Sequence, residues 1–252
     1  MVFFVGAGPG DKDLITIKGC NLLKEADVII YAGSLVNPEL LTYASKRCLI
    51  YNSAEMTLEE VIEVMEENHK KNKTVVRLHT GDMSIYGAVR EQTDILREKN
   101  IPFESVPGVS SFIGAAASLN VEYTLPTVSQ TVILTRMAGR TPVPEKENIK
   151  SLASHKASMV IFLSSSMMEN LSKELIEGGY SEDTPCAIVY KATWKDEKKI
   201  VTTLKNLAKD GKEAGITKTA LILVGDFLGS EYERSKLYDP TFTHEFRKGI
   251  DG

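Results

Sequence analysis

Glycine is spaced for ligand approach in Gly6-Ala7-Gly8-Pro9-Gly10-Asp11, the loop that ends the short apolar run Val2–Val5. Glycines at a strand end let backbone come close to a ligand without interference from Cβ, and a helical pattern follows from about Leu14. The spacing argues against a dinucleotide. The G-x-G-x-x-G fingerprint needs a small residue where this chain has Asp11. Pro9 removes an N–H that a phosphate cradle would use, and Asp11 puts negative charge where pyrophosphate would sit. The loop suits a ligand without phosphates, or a cationic one. A plain strand-to-helix turn accounts for this segment alone as well.

Two later segments repeat the arrangement. Thr80-Gly81-Asp82-Met83-Ser84-Ile85-Tyr86-Gly87 follows the apolar run Val75–Leu78, and Val106-Pro107-Gly108-Val109-Ser110-Ser111 ends the run from Phe103. In an open parallel sheet all three loops lie at the carboxyl ends of their strands, where ligands bind. Asp82 as the cap of the next helix is the plainer role for a Gly-Asp pair, yet Asp11 and Asp82 on one edge favour a cation. Ser110 and Ser111 can cap a helix, offer hydroxyls to a ligand, or do both. Arg136 and Arg140 flank Met137–Gly139, and Arg90 lies one helical turn past the Gly-Asp loop; scattered arginines are usually solvated, but these three can also grip carboxylates as bidentate forks.

Other chemistries find no support. His69, His79, His155 and His244 lack metal-ligand spacing, and there is no H-E-x-x-H, no phosphate-loop motif and no G-x-S-x-G elbow. His79 and the single Trp194 read as packing or pocket-wall residues. No metal site is expected.

The elements that position these loops alternate. Strand candidates Val2–Val5, Val28–Tyr31, Leu49–Tyr51, Val75–Leu78 and Phe103–Val106 are separated by helical patterns at Leu14–Lys24, Pro38–Ser45, Leu58–Lys71 and Ala88–Lys99, with a further helix from about Ser110 to Leu119. Thr57 and Glu60 have the capping-box spacing. Such alternation predicts a parallel sheet covered on both faces. Tyr123-Thr124-Leu125-Pro126 breaks the pattern. A second alternation then has strands at Thr131–Thr135, Met159–Leu163, Ala187–Tyr190, Lys199–Thr202 and Ala220–Val224. The reading is two α/β domains, 1–122 with the glycine loop and 123–252, with the ligand in a crevice between them.

With 252 residues, 42% hydrophobic and 25% charged, the chain has the composition of a globular protein. A net charge of −4 gives no general attraction to nucleic acid or anionic membrane, so an anionic partner must meet local Arg and Lys. The apolar runs are too short to span a bilayer, no signal segment opens the chain, and Cys20, Cys48 and Cys186 lack disulfide or metal spacing. A cytoplasmic location is expected.

Taken together, VGAGPGDKDLIT (5–16), HTGDMSIYGA (79–88), ESVPGVSSF (104–112) and TALILVG (219–225) resemble the tetrapyrrole methylases, and the resemblance covers nearly the whole chain. YAGSLVNPELL (31–41), NSAEMTLEEVI (52–62) and TRMAGRTPVPE (135–145) are similar to the subgroup acting at C11 of precorrin-4 or cobalt-precorrin-4. The resemblance implies a two-domain class III methyltransferase fold with S-adenosyl-L-methionine bound in the cleft and S-adenosyl-L-homocysteine as product. It also implies a tetrapyrrole substrate in a trough of domain 1–122, a contribution to the cofactor site from domain 123–252, and a homodimer. On matching positions it implies cofactor contacts from Pro9, Thr80, Gly81, Asp82, Ile85, Ser110, Ser111, Leu163, Ala192 and Ala220. Met83 stands where many members have proline, which should alter loop rigidity but not the contact of Asp82. Methyl transfer from a sulfonium needs alignment more than acid–base groups, so no general base is assigned. A sister methylase acting at another macrocycle carbon, on diphthamide or on ribosomal RNA is the nearer alternative, and a non-catalytic nucleotide-binding domain the more distant one; a pI near 5.7 gives no hint of an RNA-binding face.

Overall fold

The apolar runs of the first half pair into one sheet. In the computed structural model, which describes residues 1–250 (backbone alone for residue 34), β1 (Val2–Gly6), β2 (Val28–Tyr31), β3 (Leu49–Asn52), β4 (Val75–His79) and β5 (Phe103–Val106) are all parallel, in the order β3-β2-β4-β1-β5. Period-2 alternation sends Val2, Phe4, Val28, Ile30 and Val75 to one face, against Val61, Ile62 and Met65 of α2 (Leu58–Lys70) and Leu96 of α3 (Val89–Glu98). Val5, Ile29, Val76, Leu78 and Val106 face the other way, onto Leu23 of α1 (Ile17–Glu25) and the segment holding Val36 and Leu40. Burial on both faces is why these strands read as continuous apolar runs. Each fully buried Leu, Ile or Phe contributes about 1.5–3 kcal/mol.

The capping box forms as the spacing predicts: Glu60 N donates to Thr57 Oγ1 at 3.2 Å and Thr57 N to Glu60 Oε2 at 2.7 Å. Two helical patterns differ from expectation. The first helix starts at Ile17 rather than Leu14 because Thr16 caps it, accepting from Gly19 N at 3.1 Å, after a separate 3-10 turn at Lys12–Leu14. The Pro38–Ser45 pattern is a 3-10 segment, Pro38–Tyr43, capped by Asn37.

The second half forms β6 (Val132–Arg136), α5 (Ile149–Ala153), β7 (Ser158–Phe162), α6 (Met168–Glu177), β8 (Pro185–Tyr190), β9 (Lys198–Thr203), α7 (Leu207–Glu213) and β10 (Ala220–Val224). Its sheet, in the order β6-β7-β10-β8-β9, is mixed: β6 and β7 are parallel, while β10 is antiparallel to β7 and β8, and β9 to β8. Met159, Ile161, Ile188 and Ile222 pack with Ile149 of α5, Leu171 and Leu175 of α6, and Leu207 of α7.

The chain divides into two compact units, Met1–Ala115 with Lys191–Glu197, and Ala116–Tyr190 with the chain from Lys198. The division falls inside α4 (Ser111–Leu119), before the break read at 122 and 123. Lys191–Glu197, which chain order assigned to the second domain, groups with the first unit through the contacts of Trp194 described below. No helix among the described residues is long and apolar enough to cross a membrane.

Candidate functional site

β1, β4 and β5 lie side by side in the first sheet, so the three glycine-bearing loops leave its carboxyl edge together. Ala7 N donates to His79 O at 2.7 Å, and Gly8 and Gly81 exchange backbone hydrogen bonds at 3.2 and 2.9 Å. Gly8 and Gly81 take left-handed φ of +80° and +60°, the conformation that favours glycine. A Cβ on Gly6 would lie 2.6 Å from Gly108 Cα, and one on Gly108 would lie 2.3 Å from Gly81 O. Backbone is thus packed directly on backbone where the loops cross.

Asp82 braces this crossing. Its Oδ2 accepts from Gly108 N at 2.8 Å, and its Oδ1 accepts from the backbone N–H of Ser84 at 2.9 Å and from the Ser84 hydroxyl. Burial pushes the carboxyl upward, but the Ser84 and Gly108 donors and nearby His79 outweigh it and hold it below the usual range. Asp82 does not cap the next helix, as its Gly-Asp setting suggested. α3 begins seven residues on, at Val89, behind a left-handed Ala88 with φ 49°, so Asp82 anchors the intervening turn instead.

The other matched residues of the first unit gather at this edge. Ser110 is buried, its carbonyl accepting from Ile113 N and Gly114 N at 3.0 and 3.2 Å as α4 begins. A Cβ on Gly81 would lie 3.2 Å from Ser111 N. Ile85 is half-buried, and its N–H donates to Asp82 O at 3.4 Å. Thr80 Oγ1 is buried with no hydrogen-bond partner among the described residues. Pro9 is buried, with its carbonyl accepting from Trp194 Nε1 at 3.1 Å, and Ala192 O lies 2.7 Å from where a Gly10 Cβ would be.

Behind the edge, β4 carries two buried polar side chains that no spacing foretold as a pair. Arg77 donates through Nε to Gln92 Oε1 at 3.3 Å and through Nη1 to Ile30 O at 3.2 Å, and burial lowers its pKa to about 10. His79 is 3% exposed, and its Nε2 has no partner. Burial, with Arg77 adding to it and Asp82 opposing, pushes its pKa down to about 3. It is a neutral packed imidazole, as read from sequence.

In the second unit, Leu163 follows the end of β7, and Ala220 opens the neighbouring antiparallel strand β10, where it pairs with Tyr190 of β8. Leu163 has φ 51° and is 65% exposed. Ala220 is buried and its carbonyl accepts from Ser165 Oγ at 3.0 Å. Arg136, the last residue of β6, turns its guanidinium onto its own loop, donating to the carbonyls of Met137, Thr141 and Pro142 at 3.2, 3.2 and 2.7 Å. Arg140 is exposed on that loop and has no ion pair or hydrogen bond from its side chain among the described residues. Arg90 is paired with Asp94 of its own helix, Nε to the carboxylate oxygens at 2.9 and 2.8 Å, and is largely in solvent. The sequence therefore grouped three arginines of which the structure leaves one unengaged. Asn37 and Thr193, which also hold the first loop, escaped the reading because no motif or spacing links them to it. No cluster of His, Cys, Asp or Glu able to hold a metal occurs among the described residues.

The sequence and fold of this chain have counterparts among known proteins. The profile of the Tetrapyrrole (Corrin/Porphyrin) Methylases matches residues 1–208, and the chain belongs to that family. It is 59% identical over 248 residues to the cobalt-precorrin-4 C(11)-methyltransferase of Methanocaldococcus jannaschii, covering 98% of this chain and 96% of that one. The X-ray structure of a cobalt precorrin-4 methyltransferase superposes with a TM-score of 0.89 at 47% identity, covering 91% and 96% of the two chains. The uroporphyrin-III C-methyltransferase of Thermus thermophilus, solved with S-adenosylhomocysteine, gives 0.75 at 25% identity over 90% and 92%.

Proposed function

We propose that this chain transfers a methyl group from S-adenosyl-L-methionine to C11 of precorrin-4 or cobalt-precorrin-4 in cobalamin biosynthesis. The observation that carries this is the 59% identity to a cobalt-precorrin-4 C(11)-methyltransferase across 98% of the chain. The loops fit the donor independently. Their glycines hold the three loops together backbone on backbone, Pro9 and Asp11 disfavour phosphate, and buried Thr80 Oγ1 has no partner among the described residues. We assign the donor to Pro9, Thr80, Gly81, Asp82, Ile85, Ser110, Ser111 and Ala192 of the first unit and Leu163 and Ala220 of the second.

When bound, S-adenosylmethionine supplies an electrophilic methyl on a positive sulfonium; the C–S bond breaks as a C–C bond forms at the macrocycle. The residues here contribute orientation, for which rigid placement is worth up to about 7–11 kcal/mol. Asp82 acts on that placement by fixing the second loop to the third. No proton-accepting side chain is required at a fully substituted ring carbon, and His79 is too buried to serve as one.

The substrate carries many carboxylates and the chain is net negative, so substrate recognition falls to local cations. Arg140, exposed and unpaired among the described residues, is the residue we assign to a carboxylate; Arg136 serves the same loop by closing it, and Arg90 is engaged by Asp94 of its own helix. A homodimer in the cytoplasm completes the proposal, supported by the family resemblance and by three free cysteines.

Mass spectrometry tests the reaction. Incubation with S-adenosylmethionine and precorrin-4, with and without cobalt, should add one methyl at C11. Methylation at another carbon would transfer the chain to a sister activity. Arg140→Ala should raise the Michaelis constant for the tetrapyrrole several-fold, leave S-adenosylhomocysteine affinity unchanged, and lose its effect as salt is added.

A further inference from the structure

Lys191–Glu197 follow β8 in the chain yet group with the first unit, where they lie over the glycine loop. Trp194 Nε1 donates to Pro9 O at 3.1 Å, and the indole occupies the space a side chain on Gly10 would need, since a Cβ there would be 2.0 Å from Trp194 Cδ1. Beside it, Asp11 N donates to Thr193 Oγ1 at 2.9 Å, and Asn37 Nδ2 donates to Gly10 O at 2.8 Å. Pro9 has no N–H to offer. The carbonyls of Pro9 and Gly10 and the N–H of Asp11 are therefore all held by side chains from outside the loop.

The segment that supplies Trp194 is itself constrained. Lys191 and Thr193 have left-handed φ of 47° and 68°, a conformation that costs non-glycine residues about 1–2 kcal/mol each. Glu197 Oε2 accepts from Thr193 N at 2.6 Å, Lys191 Nζ is 2.6 Å from Asp196 Oδ2 and 5.1 Å from the Trp194 ring centroid, and Lys195 pairs with Glu39. Strained backbone persists where surrounding contacts over-determine it, and it concentrates at functional sites. Here its product is one indole seated on one glycine.

We propose that Trp194 is a positioning residue for the methyl donor. Its Nε1–H and ring set the shape of Pro9-Gly10-Asp11, and that shape determines affinity for S-adenosylmethionine and S-adenosylhomocysteine. The inference rests on the reading that this loop holds the donor. Gly10 and Trp194 form a matched pair, because the absence of Cβ at one is what admits the other.

The test is calorimetric titration of S-adenosylhomocysteine into wild type, Trp194→Phe, Trp194→Ala and Gly10→Ala, with thermal melting of each. Trp194→Phe removes the hydrogen bond and the part of the ring seated over Gly10 while keeping an aromatic side chain, and should weaken binding about fivefold, raising the Michaelis constant for S-adenosylmethionine while leaving kcat and melting temperature close to wild type. Trp194→Ala should lose more. Gly10→Ala keeps the indole but unseats it; as Trp194 is the sole tryptophan, its emission should move to longer wavelength as affinity falls. Failure of wild type to bind S-adenosylhomocysteine would overturn the functional reading on which the inference rests. Wild-type affinity in folded Trp194→Phe, or in Gly10→Ala with a shifted emission, would overturn the inference alone. Should Trp194→Ala unfold, the phenylalanine variant decides.

Discussion

The loop-bearing edges of the two sheets turn the chain sharply with different residues. Where the loops of the first sheet cross, the left-handed turns fall on Gly8 and Gly81, and the close approaches on Gly6 and Gly108; Tyr86 and Ala88, farther along the second loop, take φ of 54° and 49°. At the edge of the second, Leu163 and Thr219 take φ of 51° and 57° without glycine. The crossing of the first edge uses residues for which these conformations are inexpensive. The second holds side chains in conformations that cost about 1–2 kcal/mol each, and it keeps a large apolar one in solvent. The proposal that Leu163 walls the donor site gives this strain around an exposed leucine a function.

The sharpest way to break this contrast is Gly108→Ala. The new methyl would lie 2.3 Å from Gly81 O and 2.7 Å from Gly6 Cα, both backbone atoms that no rotamer change can remove. A loss of about 3 kcal/mol or more is expected, read as a lower urea midpoint. Gly215→Ala supplies the control: at φ +69° with nothing within 4 Å of its Cβ, it should cost only the left-handed penalty of about 1 kcal/mol. Equal effects at the two glycines would mean that the three-loop crossing is soft, and the contrast with the second edge would disappear.

A smaller effect is tied to pH. His79 sits behind the glycine crossing with a folded pKa near 3, against about 6.5 in an unfolded chain. As pH falls, the unfolded state takes up the proton first. Stability from the neutral imidazole is therefore complete above about pH 6.5 and is lost progressively as pH falls toward the folded pKa, at up to about 1.4 kcal/mol per unit. Asp82 and the buried Arg77 are the charged groups acting on it. His79→Leu should flatten stability against pH between 6.5 and 5.5, measured by urea melts at each pH. An unchanged slope would mean that other groups carry the acid sensitivity and that this edge is not held by a neutral histidine.

The same contrast explains what the sequence made legible. The five strands of the first sheet and the capping box at Thr57 were readable because hydrophobic period and cap chemistry are local. The glycine loops were readable because glycine is the one residue whose identity announces unusual backbone. Leu163 carried no such sign: a leucine ending an apolar run reads as strand, and only its match to a family position marked it. Trp194 was legible as a residue and not as a contact, since nothing at positions 9 and 194 reveals that they touch. Arg136 and Arg140 looked alike by composition. Their separation into a loop clasp and an unengaged side chain depends on where one guanidinium finds carbonyls, which only the folded loop determines.

The smallest expected change in stability has the opposite sign, and it asks whether the second edge is strained for a ligand. Leu163→Gly replaces a left-handed leucine with the residue that prefers that geometry. With 65% of Leu163 exposed, little buried apolar area is lost, so the gain from relieved strain should exceed the cost of a more flexible unfolded chain. Net stabilisation of up to about 1 kcal/mol is expected, seen as a small rise in the urea midpoint. S-adenosylhomocysteine affinity should fall several-fold in the same variant, because the apolar wall is gone. Leu163→Asn separates the two effects, since asparagine tolerates left-handed φ and presents a polar side chain; it should lose affinity with almost no change in stability. A variant that gains stability and keeps full affinity would remove Leu163 from the donor site and make the strain at the second edge a property of the turn alone.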